Sequence, residues 1–289
     1  MNKVVLSQIK SAIRRGLDEK AGQIIRSSGS YLSRRDLFVL ARYMDRLCKH
    51  PYNVIEYVFY TSPCGDIFEL NFRGQGYFHG ACRDGRVNEV RMFLTKGYNS
   101  VDPAKNDSYG LRAACLSGRT EIVRILLEDG RSNPSVLSSD PIRLAVSSRF
   151  PDIVRLLLND GRADPSVLGS STLLCACDSG ETEIVRMLLE DGRADPCADN
   201  NYLIREASTE GYVDIVRLLL EDGRTDPSTK NNEVLCSACS EGPIDLIRLL
   251  LEDERVVRAG LNGAKCVAKL FNRSCEIISL FMKYSGRSV

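Results

Sequence analysis

The side chains that could do chemistry in this sequence are a close pair of cysteines, two histidines and two ladders of charged residues. Cys236 and Cys239 form a C-x-x-C pair, a spacing that suits zinc or dithiol chemistry. Zinc needs about four ligands, usually supplied by two such pairs, and the sequence has no second pair. Dithiol exchange would need a βαβ context. The two cysteines are one helical turn apart, so we expect them to pack in a helical core.

The histidines His50 and His79 give no catalytic constellation. A catalytic histidine needs a nucleophile or a carboxylate at the right geometry, and we interpret both residues as structural. The chain also lacks a P-loop, G-x-G-x-x-G, G-x-S-x-G and H-E-x-x-H. We therefore predict a protein that is not an enzyme, with no catalytic residues, no cofactor and no metal.

The charged ladders recur at a constant interval. Paired carboxylates can hold metals or act as acid and base. Residues that recur once per repeat lie on successive packed helices, about 10 Å apart, which is too far for one site. We expect them to solvate an outer face and to form ion pairs between repeats, each worth about 0–1 kcal/mol. The ladders are Asp129, Asp160, Asp191, Asp222 and Asp253, and Arg124, Arg155, Arg186, Arg217 and Arg248.

The elements that carry these residues repeat every 31 residues. Versions of GRADPS begin at Gly130, Gly161, Gly192 and Gly223, and each follows a segment similar to EIVRMLLED. Alanines keep the same step at Ala114, Ala145, Ala176, Ala207 and Ala238. Such a period indicates a solenoid, in which each repeat packs on its neighbours.

Each repeat is predicted to contain two short helices. In one of them, the first helix covers about Thr172 to Ser179 and a tight turn follows at Gly180. Thr182 is a plausible N-cap for the second helix, whose apolar residues form a broad face. Gly192 ends that helix, and the Asp-Pro pair after it favours a turn.

The pattern resembles the ankyrin repeat, which has the signature T-P-L-H-x-A at the start of its first helix. Residues 76–81 (GYFHGA) keep the histidine and alanine, 140–145 (DPIRLA) the proline and alanine, and 171–176 (STLLCA) the leucine and alanine. The resemblance implies an all-α ankyrin-repeat solenoid of stacked helix-turn-helix units with short fingers. It also implies that His79 hydrogen-bonds the neighbouring loop. The segment LLLEDGRADPS is also similar to ankyrin arrays of amoeba-infecting giant viruses and some protists, which implies a host protein as the partner.

The sequence departs from the ankyrin pattern in three places. The period of 31 residues, against 33 in the family, shortens the fingers and reduces their hairpin to a turn. Arg149 stands where other repeats have the turn glycine, so we expect strain of about 1–3 kcal/mol from a positive φ. Glu254 replaces the helix-ending glycine, and Lys269 falls where the repeated alanine should be.

These departures divide the chain into three predicted regions. Residues 76–253 are ankyrin repeats with a period of 31–33, and 254–289 form a degenerate C-terminal capping unit. Residues 1–75 are either degenerate ankyrin-like units or a separate helical cap. Residues 36–62 suggest two helices, Asp36 to Cys48 and Tyr52 to Tyr60, whereas residues 61–76 read as an irregular connector.

Composition narrows the location and the partners. The net charge is +1 and no apolar stretch is long enough to cross a bilayer. The N-terminus lacks the apolar core of a secretory signal. The cysteine count of 11 is odd and most cysteines fall in apolar helical patterns, which favours a reducing cytoplasm, with the nucleus as an alternative. Residues 1–50 carry 11 Lys and Arg against 4 Asp and Glu, so contact with nucleic acid or an anionic membrane is the alternative function.

The leading prediction is a protein-protein interaction scaffold or adaptor, monomeric, that binds a partner on its concave surface. Positions that vary between repeats locate that surface, and they include the residue before each repeated alanine (Ala113, Leu144, Cys175, Glu206, Ser237) and the second residue after it (Leu116, Ser147, Asp178, Thr209, Ser240). Tyr202 is attractive as an anchor because tyrosine is enriched at binding hot spots. The predicted contact residues are Lys105, Asn106, Asp107, Asp199, Asn200, Tyr202, Glu206, Thr209, Glu210, Lys230, Asn231, Ser240 and Glu241.

Overall fold

A computed structural model describes residues 3–17, 19–21, 23–24, 40, 71–94, 101–240, 242–264 and 275–285. The chain divides into two compact units, Met1–Lys105 and Asn106–Val289. Every regular element among the described residues is a helix, which confirms the predicted all-α class. Apart from Leu40, which is helical, the helices predicted within residues 36–62 lie outside the described residues. The position of Lys269 and most of the predicted connector lie outside them as well.

The first compact unit contains α1 (Lys3–Arg15), α2 (Asn71–Asp84) and α3 (Val87–Leu94). Helices α2 and α3 pack together around Phe78 and Phe93, whose rings meet edge to face with centroids 6.2 Å apart. Residues 71–76 are helical, so the prediction of an irregular connector is wrong there. The Gln75 side chain explains the extra turn of α2, because it bonds both the N–H and the carbonyl of Asp102, at 3.0 and 2.8 Å.

The second compact unit holds five helix pairs, numbered here as repeats 1 to 5. Repeat 1 is α4 (Lys105–Leu116) with α5 (Thr120–Asp129), and α4 begins at the boundary of the unit. Repeat 2 is α6 (Val136–Ser147) with α7 (Pro151–Asp160), and repeat 3 is α8 (Val167–Asp178) with α9 (Thr182–Asp191). The remaining elements are α10 (Ala198–Thr209) and α11 (Val213–Asp222) of repeat 4, α12 (Thr229–Ser240) and α13 (Ile244–Glu252) of repeat 5, then α14 (Glu254–Arg258) and α15 (Cys275–Ser285).

The repeats stack in two layers. First helices pack on first helices from repeat 2 to repeat 5, second helices pack on second helices, and α14 and α15 contact α13. Leu173 and Ala176 of α8 and Ile184 and Leu188 of α9 are completely buried between the layers. Burying one such aliphatic side chain contributes about 1.5–3 kcal/mol. A single helix pair cannot cover its own apolar face, so the stack supplies the core.

The turn between the two helices of a repeat explains the recurring alanine and glycine. In repeat 3 the carbonyl of Ala176 accepts the N–H of Glu181 at 3.0 Å, and Gly180 between them takes φ +69°. Glycine adopts that conformation without strain. Arg149 takes φ +61° at the same place in repeat 2, so the predicted non-glycine residue at positive φ is confirmed. Gly242 of repeat 5 does not adopt a positive φ, so that turn differs.

The second helices of repeats 1 to 4 end at left-handed glycines, as predicted, with φ between +76° and +78°. Repeat 5 differs: α13 ends before Asp253, whose side chain accepts the N–H of Arg255 and starts α14. The prediction that Thr182 caps α9 is wrong. The turn bond to Ala176 fixes Glu181 as the flanking residue, so Thr182 is already helical and no side chain caps this end.

Each finger contains three consecutive residues with left-handed backbone, just before the right-handed part of the first helix. Their φ values lie between +48° and +64°. A left-handed conformation costs about 1–2 kcal/mol for a residue other than glycine, and less for Asn and Asp. The triplets are 106–108 (NDS), 137–139 (LSS), 168–170 (LGS), 199–201 (DNN) and 230–232 (KNN).

The third residue of each triplet offsets this strain by bonding the next repeat. Ser139 and Ser170 are buried, and their hydroxyls accept the N–H of Asp164 and Asp195 at 2.9 and 2.8 Å. In repeat 4 the amide oxygen of Asn201 accepts a backbone N–H in the same way at 2.8 Å. The fingers are therefore turns, as predicted, but they are turns that connect neighbouring repeats.

A set of arginines two residues after the Asp ladder also connects the repeats. Arg193 pairs with Asp191 through two bonds of 2.7 and 2.8 Å, and it also donates to the carbonyls of Gly161 and Ala163 in the preceding repeat. These bonds satisfy carbonyls near a helix end that have no partner within the helix. The predicted Asp ladder therefore pairs within its own repeat, and its partners are Arg131, Arg162, Arg193, Arg224 and Arg255.

The predicted Arg ladder does form some pairs between repeats. Arg155 reaches Glu183 of the next repeat at 2.7 Å, and Arg248 reaches Glu276 of α15. Arg124 instead approaches Glu121 of its own helix at 3.5 Å. No helix in the described part of the chain is long and apolar enough to cross a membrane.

Candidate functional site

The candidate site is the exposed face of the first helices of repeats 1 to 5, together with the finger turns before them; we call it the first-helix face. In α10, Tyr202, Glu206 and Thr209 lie at positions i, i+4 and i+7, so they share one side of the helix. Leu203 and Ala207 on the other side are buried in the core. Core packing therefore fixes the direction in which this face points.

Three carboxylates meet where repeats 3 and 4 adjoin: Asp178, Glu206 and Glu210. Partial burial raises the pKa of Asp178, and the negative charges of Glu206 and Glu210 raise it further. None of the three carboxylates forms an ion pair with another described residue. We call this group the acidic cluster.

Tyr202 and Arg205 are neighbours of Glu206 on α10. The hydroxyl of Tyr202 hydrogen-bonds the carboxylate of Glu206, which raises the pKa of Tyr202. The guanidinium of Arg205 lies 5.6 Å from the centre of the Tyr202 ring and pairs with Glu233 of repeat 5 at 2.9 Å. The positive charge nearest to Glu206 along the chain therefore has another partner, and the acidic cluster keeps its negative charge.

A groove of about 260 Å³ lies beside the acidic cluster, between the first helices of repeats 2 and 3. Leu144 and Cys175 form its apolar walls and are half-buried. At one end the buried carboxylate of Asp140 pairs with Arg112 at 2.6 Å and with Arg143 at 3.1 Å. Asp178 lies on α8 one turn beyond Cys175, so the other end of the groove faces the acidic cluster.

Apolar side chains are exposed on the same face in repeats 1 to 3. Leu116, Leu137 and Leu168 are 53–59 % exposed, and Tyr109 is 41 % exposed. Leu137 and Leu168 occupy the finger position held elsewhere by Asn106, Asp199 and Lys230. The predicted contact residues omitted both leucines. Aligning the repeats within the chain would have found them, because two repeats have leucine at a position where the other three have polar residues.

The predicted contact residues are mostly exposed, and their role in binding stays a prediction. Glu206 and Ser240 are half-buried, Lys105 is the last residue of the first compact unit, and Glu241 lies outside the described residues. The exposed members of the second compact unit are Asn106, Asp107, Asp199, Asn200, Tyr202, Thr209, Glu210, Lys230 and Asn231. The structure brings Tyr202 and Glu206 into contact, whereas Lys230 approaches Glu233 at 3.8 Å.

The cysteines and the described histidine show packing roles. Cys239 is buried and Cys236 is half-buried, and burial raises the pKa of the Cys236 thiol. Burial raises the pKa of Cys82 and of Cys177 to about 12. Such thiols are mostly protonated at neutral pH and are weak nucleophiles and metal ligands. The described residues contain no group of His, Cys, Asp and Glu that could hold a metal ion.

His79 lies beside a residue that holds the neighbouring loop. Its ring lies 2.8 Å from the Gln75 amide, and Gln75 bonds the loop at Asp102. Burial lowers the pKa of His79, and the charge of Lys105 lowers it further, so the neutral ring is favoured. The hydrogen bond from His79 to the loop that the ankyrin resemblance implies stays a prediction.

A second groove, of about 480 Å³, lies on the second helices of repeats 2 and 3. It is larger than the groove beside the acidic cluster. However, the Arg155–Glu183 pair crosses it at 2.7 Å, and Asp191 at its edge is paired with Arg193. Arg155, Glu183 and Asp191 in this groove are paired within the chain, whereas Arg186 and Glu190 form no ion pair with a described residue. We place the candidate site on the first-helix face because large apolar side chains are exposed there.

Comparison with known proteins agrees with this architecture. The ankyrin repeat family matches residues 168–201, which include most of repeat 3 and the finger of repeat 4. The ankyrin repeat domain of human ASB11 is similar in structure, with 21 % identity and a TM-score of 0.50, over 72 % of this chain and 97 % of that chain. The ankyrin repeat domain of Bcl-3, a unique member of the IkappaB protein family, shows 23 % identity and a TM-score of 0.52, over 71 % and 97 %.

At these identities the structural likeness shows the fold, which is the all-α ankyrin-repeat solenoid predicted from the sequence. Among curated proteins, no significant match was found.

Proposed function

We propose that this chain, which has the fold of ankyrin-repeat solenoids, is a non-catalytic adaptor that binds a partner protein on its first-helix face. The observation that carries this proposal is the exposed apolar surface of the first-helix face. Leu116, Leu137 and Leu168 are 53–59 % exposed there, and Tyr109 is 41 % exposed. On the same face, the three carboxylates of the acidic cluster form no ion pair with another described residue. Exposed apolar residues next to unpaired charge are typical of interaction surfaces.

The repeat architecture supports the same function. Stacked repeats present an extended surface on which successive side chains can vary without disturbing the core. Free thiols occur at Cys82, Cys115, Cys175, Cys177, Cys197, Cys236 and Cys239, which supports a reducing compartment such as the cytoplasm as the place of action. The likeness to viral ankyrin arrays favours a host protein as the partner, and we expect the adaptor itself to be monomeric.

The experiment is an affinity pull-down from cytosolic extract with the full chain, read out by mass spectrometry. The test variant carries Tyr202→Ala, Glu206→Lys and Glu210→Lys. The matched control carries Glu190→Lys and Glu221→Lys, two exposed carboxylates on the second helices. Circular dichroism first establishes that both variants fold.

We expect the control variant to capture the same protein as the wild type, and the test variant to lose at least about 90 % of it. This corresponds to about 1.4 kcal/mol of binding free energy. Equal capture by all three proteins would show that the first-helix face is not the binding site.

The alternative function, contact of the basic residues 1–50 with nucleic acid or an anionic membrane, has less support. The exposed Arg14 and Arg15 lie in the last turn of α1, where the helix dipole stabilises cations without any ligand. Retention on heparin that falls steeply with salt, and that is lost when Arg14 and Arg15 are changed to Gln, would favour this alternative.

A further inference from the structure

We propose that the partner segment recognised by the first-helix face is basic: its Lys or Arg head groups lie against Asp178, Glu206 and Glu210, and its aliphatic parts lie in the groove between Leu144 and Cys175. This inference rests on the proposed function and adds the chemistry of the partner.

The first argument is charge complementarity. The charges of Glu206 and Glu210 disfavour the ionised form of Asp178, and none of the three carboxylates forms an ion pair with a described cation. Arg205, which precedes Glu206 on α10, is held by Glu233 and by the Tyr202 ring. A lysine or arginine from a partner would gain the attraction that the chain leaves unused, and it would select against acidic partners.

The second argument is the shape of the groove. Lys and Arg have aliphatic stems that pack along apolar walls while their charged heads reach a polar end. The groove offers Leu144 and Cys175 as walls. Asp178 lies about one helical turn beyond Cys175 on α8. The carboxylate at the opposite end of the groove is already paired, because Asp140 contacts Arg112 and Arg143. Only the end near Asp178 attracts a positive charge.

The third argument excludes a bare metal ion as the occupant. A Ca²⁺ ion takes about six to eight oxygen ligands at about 2.3–2.6 Å, so its ligands must converge on one point. Among the described residues no group of acidic side chains converges in this way, and the acidic cluster is included in that statement. Carboxylates that are spread over two repeats suit side-chain cations carried on a chain.

The spacing of the repeats gives the length of the segment. Neighbouring helices are about 10 Å apart, so the path from the groove, midway between repeats 2 and 3, to the first helix of repeat 4 is about 15 Å long. An extended chain covers about 3.3 Å per residue, so about five residues span this path. We therefore expect a short linear segment with basic residues at one end and an aliphatic residue at the other.

The test is a selection of random dodecapeptides displayed on phage against the full chain. We expect the selected peptides to be enriched in Lys and Arg relative to the starting library. The best peptide is then synthesised, and its affinity is measured by fluorescence anisotropy against the wild type and three variants.

The neutral variant is Asp178→Asn, Glu206→Gln, Glu210→Gln, which keeps the shape and removes the charge. The control is Glu190→Gln, Glu221→Gln, Glu252→Gln, which removes the same charge from exposed positions on the second helices. The shape variant is Leu144→Ala, Tyr202→Ala, which leaves the charge unchanged. We expect the neutral variant to weaken binding at least about tenfold, the shape variant to weaken it severalfold, and the control to change it less than about twofold.

The outcomes separate this inference from the proposed function. Selected peptides without a basic excess, no enrichment above an unrelated protein, or unchanged affinity in the neutral variant would each overturn the basic-segment inference. If the shape variant still weakens binding in those cases, the first-helix face remains the binding surface and only its chemistry is wrong. If neither variant affects binding, the proposed function fails as well.

Discussion

Arg149 holds a backbone conformation that repeats 1, 3 and 4 give to glycine. Its φ is +61°, close to the +69° of Gly118 and Gly180. Replacing Arg149 with glycine would relieve a backbone strain of about 1–3 kcal/mol. The same replacement would cost about 0.5–1 kcal/mol, because glycine adds conformational entropy to the unfolded chain. The pair with Glu181 at 3.4 Å is solvent-exposed and adds little.

We therefore expect Arg149→Gly to raise the free energy of unfolding by about 0.5–1 kcal/mol, measured by urea denaturation. Gly180→Ala is the matched control in the opposite direction: besides the positive φ, its added Cβ would lie 3.3 Å from the Tyr212 ring. A less stable Arg149→Gly variant would show that the arginine side chain contributes more than the strain costs.

The unusual turn residue Arg149 was predictable from the sequence, because the repeats can be compared with one another. Four other repeats have glycine at the position of Arg149. The role of Thr182 was not predictable in the same way. Whether a hydroxyl caps a helix depends on which residue the preceding turn places at the N-cap position. Here that residue is Glu181, one residue before Thr182. The acidic cluster could be found only in part, because Asp178 varies between repeats but its proximity to Glu210 depends on how the repeats stack.

Asp178 gives a prediction about pH. Its pKa in the folded chain is raised, mainly by burial, so the ionised carboxylate is disfavoured by folding. Stability from this group is therefore complete below its unfolded pKa of about 3.9 and falls as the pH rises through the folded pKa. We expect Asp178→Asn to be more stable than the wild type near pH 7 by a few tenths of a kcal/mol, since the site is mostly solvated.

The measurement is thermal unfolding of both proteins at about pH 4 and about pH 7, each at low and high salt. The difference should be smaller at the acidic pH, where the wild-type carboxyl is largely protonated. It should also shrink with salt, which screens exposed like charges. A difference that is largest at acidic pH would contradict the assigned direction.

At the scale of elements, the fingers hold the repeats together through one buried hydroxyl. Ser170 accepts the N–H of Asp195 at 2.8 Å while keeping φ +61°. Ser170→Ala leaves a partly buried N–H without its partner, so we expect a loss of about 1–3 kcal/mol in urea denaturation. Ser170→Asn should be close to neutral, because Asn201 makes the same bond in repeat 4 and asparagine tolerates a left-handed backbone. Equal losses of stability in Ser170→Ala and Ser170→Asn would contradict this explanation.

The second connection between repeats is the arginine after each Asp. Arg193 makes two bonds to Asp191 and two to carbonyls of the preceding repeat. A lysine keeps the charge but cannot make this planar set of bonds, so we expect Arg193→Lys to cost about 1–3 kcal/mol. The control is Arg186→Lys, at an exposed position on the preceding helix α9, and it should stay within about 0.5 kcal/mol. Similar values for the two variants in chemical denaturation would show that the bonds to the preceding repeat contribute little.

The sequence predicted the helices well and these connections poorly, for a physical reason. The spacing of apolar residues and the positions of glycines determine where the helices begin and end, and both can be read directly from the sequence. The fingers rich in Ser, Asn and Asp predict turns, but three successive left-handed residues that include Leu137, Leu168 and Lys230 need neighbouring repeats to stabilise them. The Asp–Arg pairs were missed because a left-handed glycine between the two residues brings their side chains together.

At the scale of the molecule, each repeat of the second compact unit contacts mainly its neighbours. The destabilising effect of a mutation should therefore decrease with distance along the stack. Leu188 in the second helix of repeat 3 is completely buried. We expect Leu188→Ala to cost about 2–5 kcal/mol. Hydrogen exchange should then accelerate most in repeat 3, less in repeats 2 and 4, and least in repeats 1 and 5.

This gradient matters for binding because the acidic cluster spans repeats 3 and 4. If repeat 3 opens locally in the Leu188→Ala variant, the fraction of molecules with a complete first-helix face falls, and the apparent affinity falls by the same fraction. Leu246→Ala in repeat 5, also completely buried, is the matched control, and it should weaken binding of the selected peptide much less. Exchange that accelerates equally in all five repeats would instead show that the second compact unit unfolds as one body. The two variants would then weaken binding only in proportion to their loss of total stability.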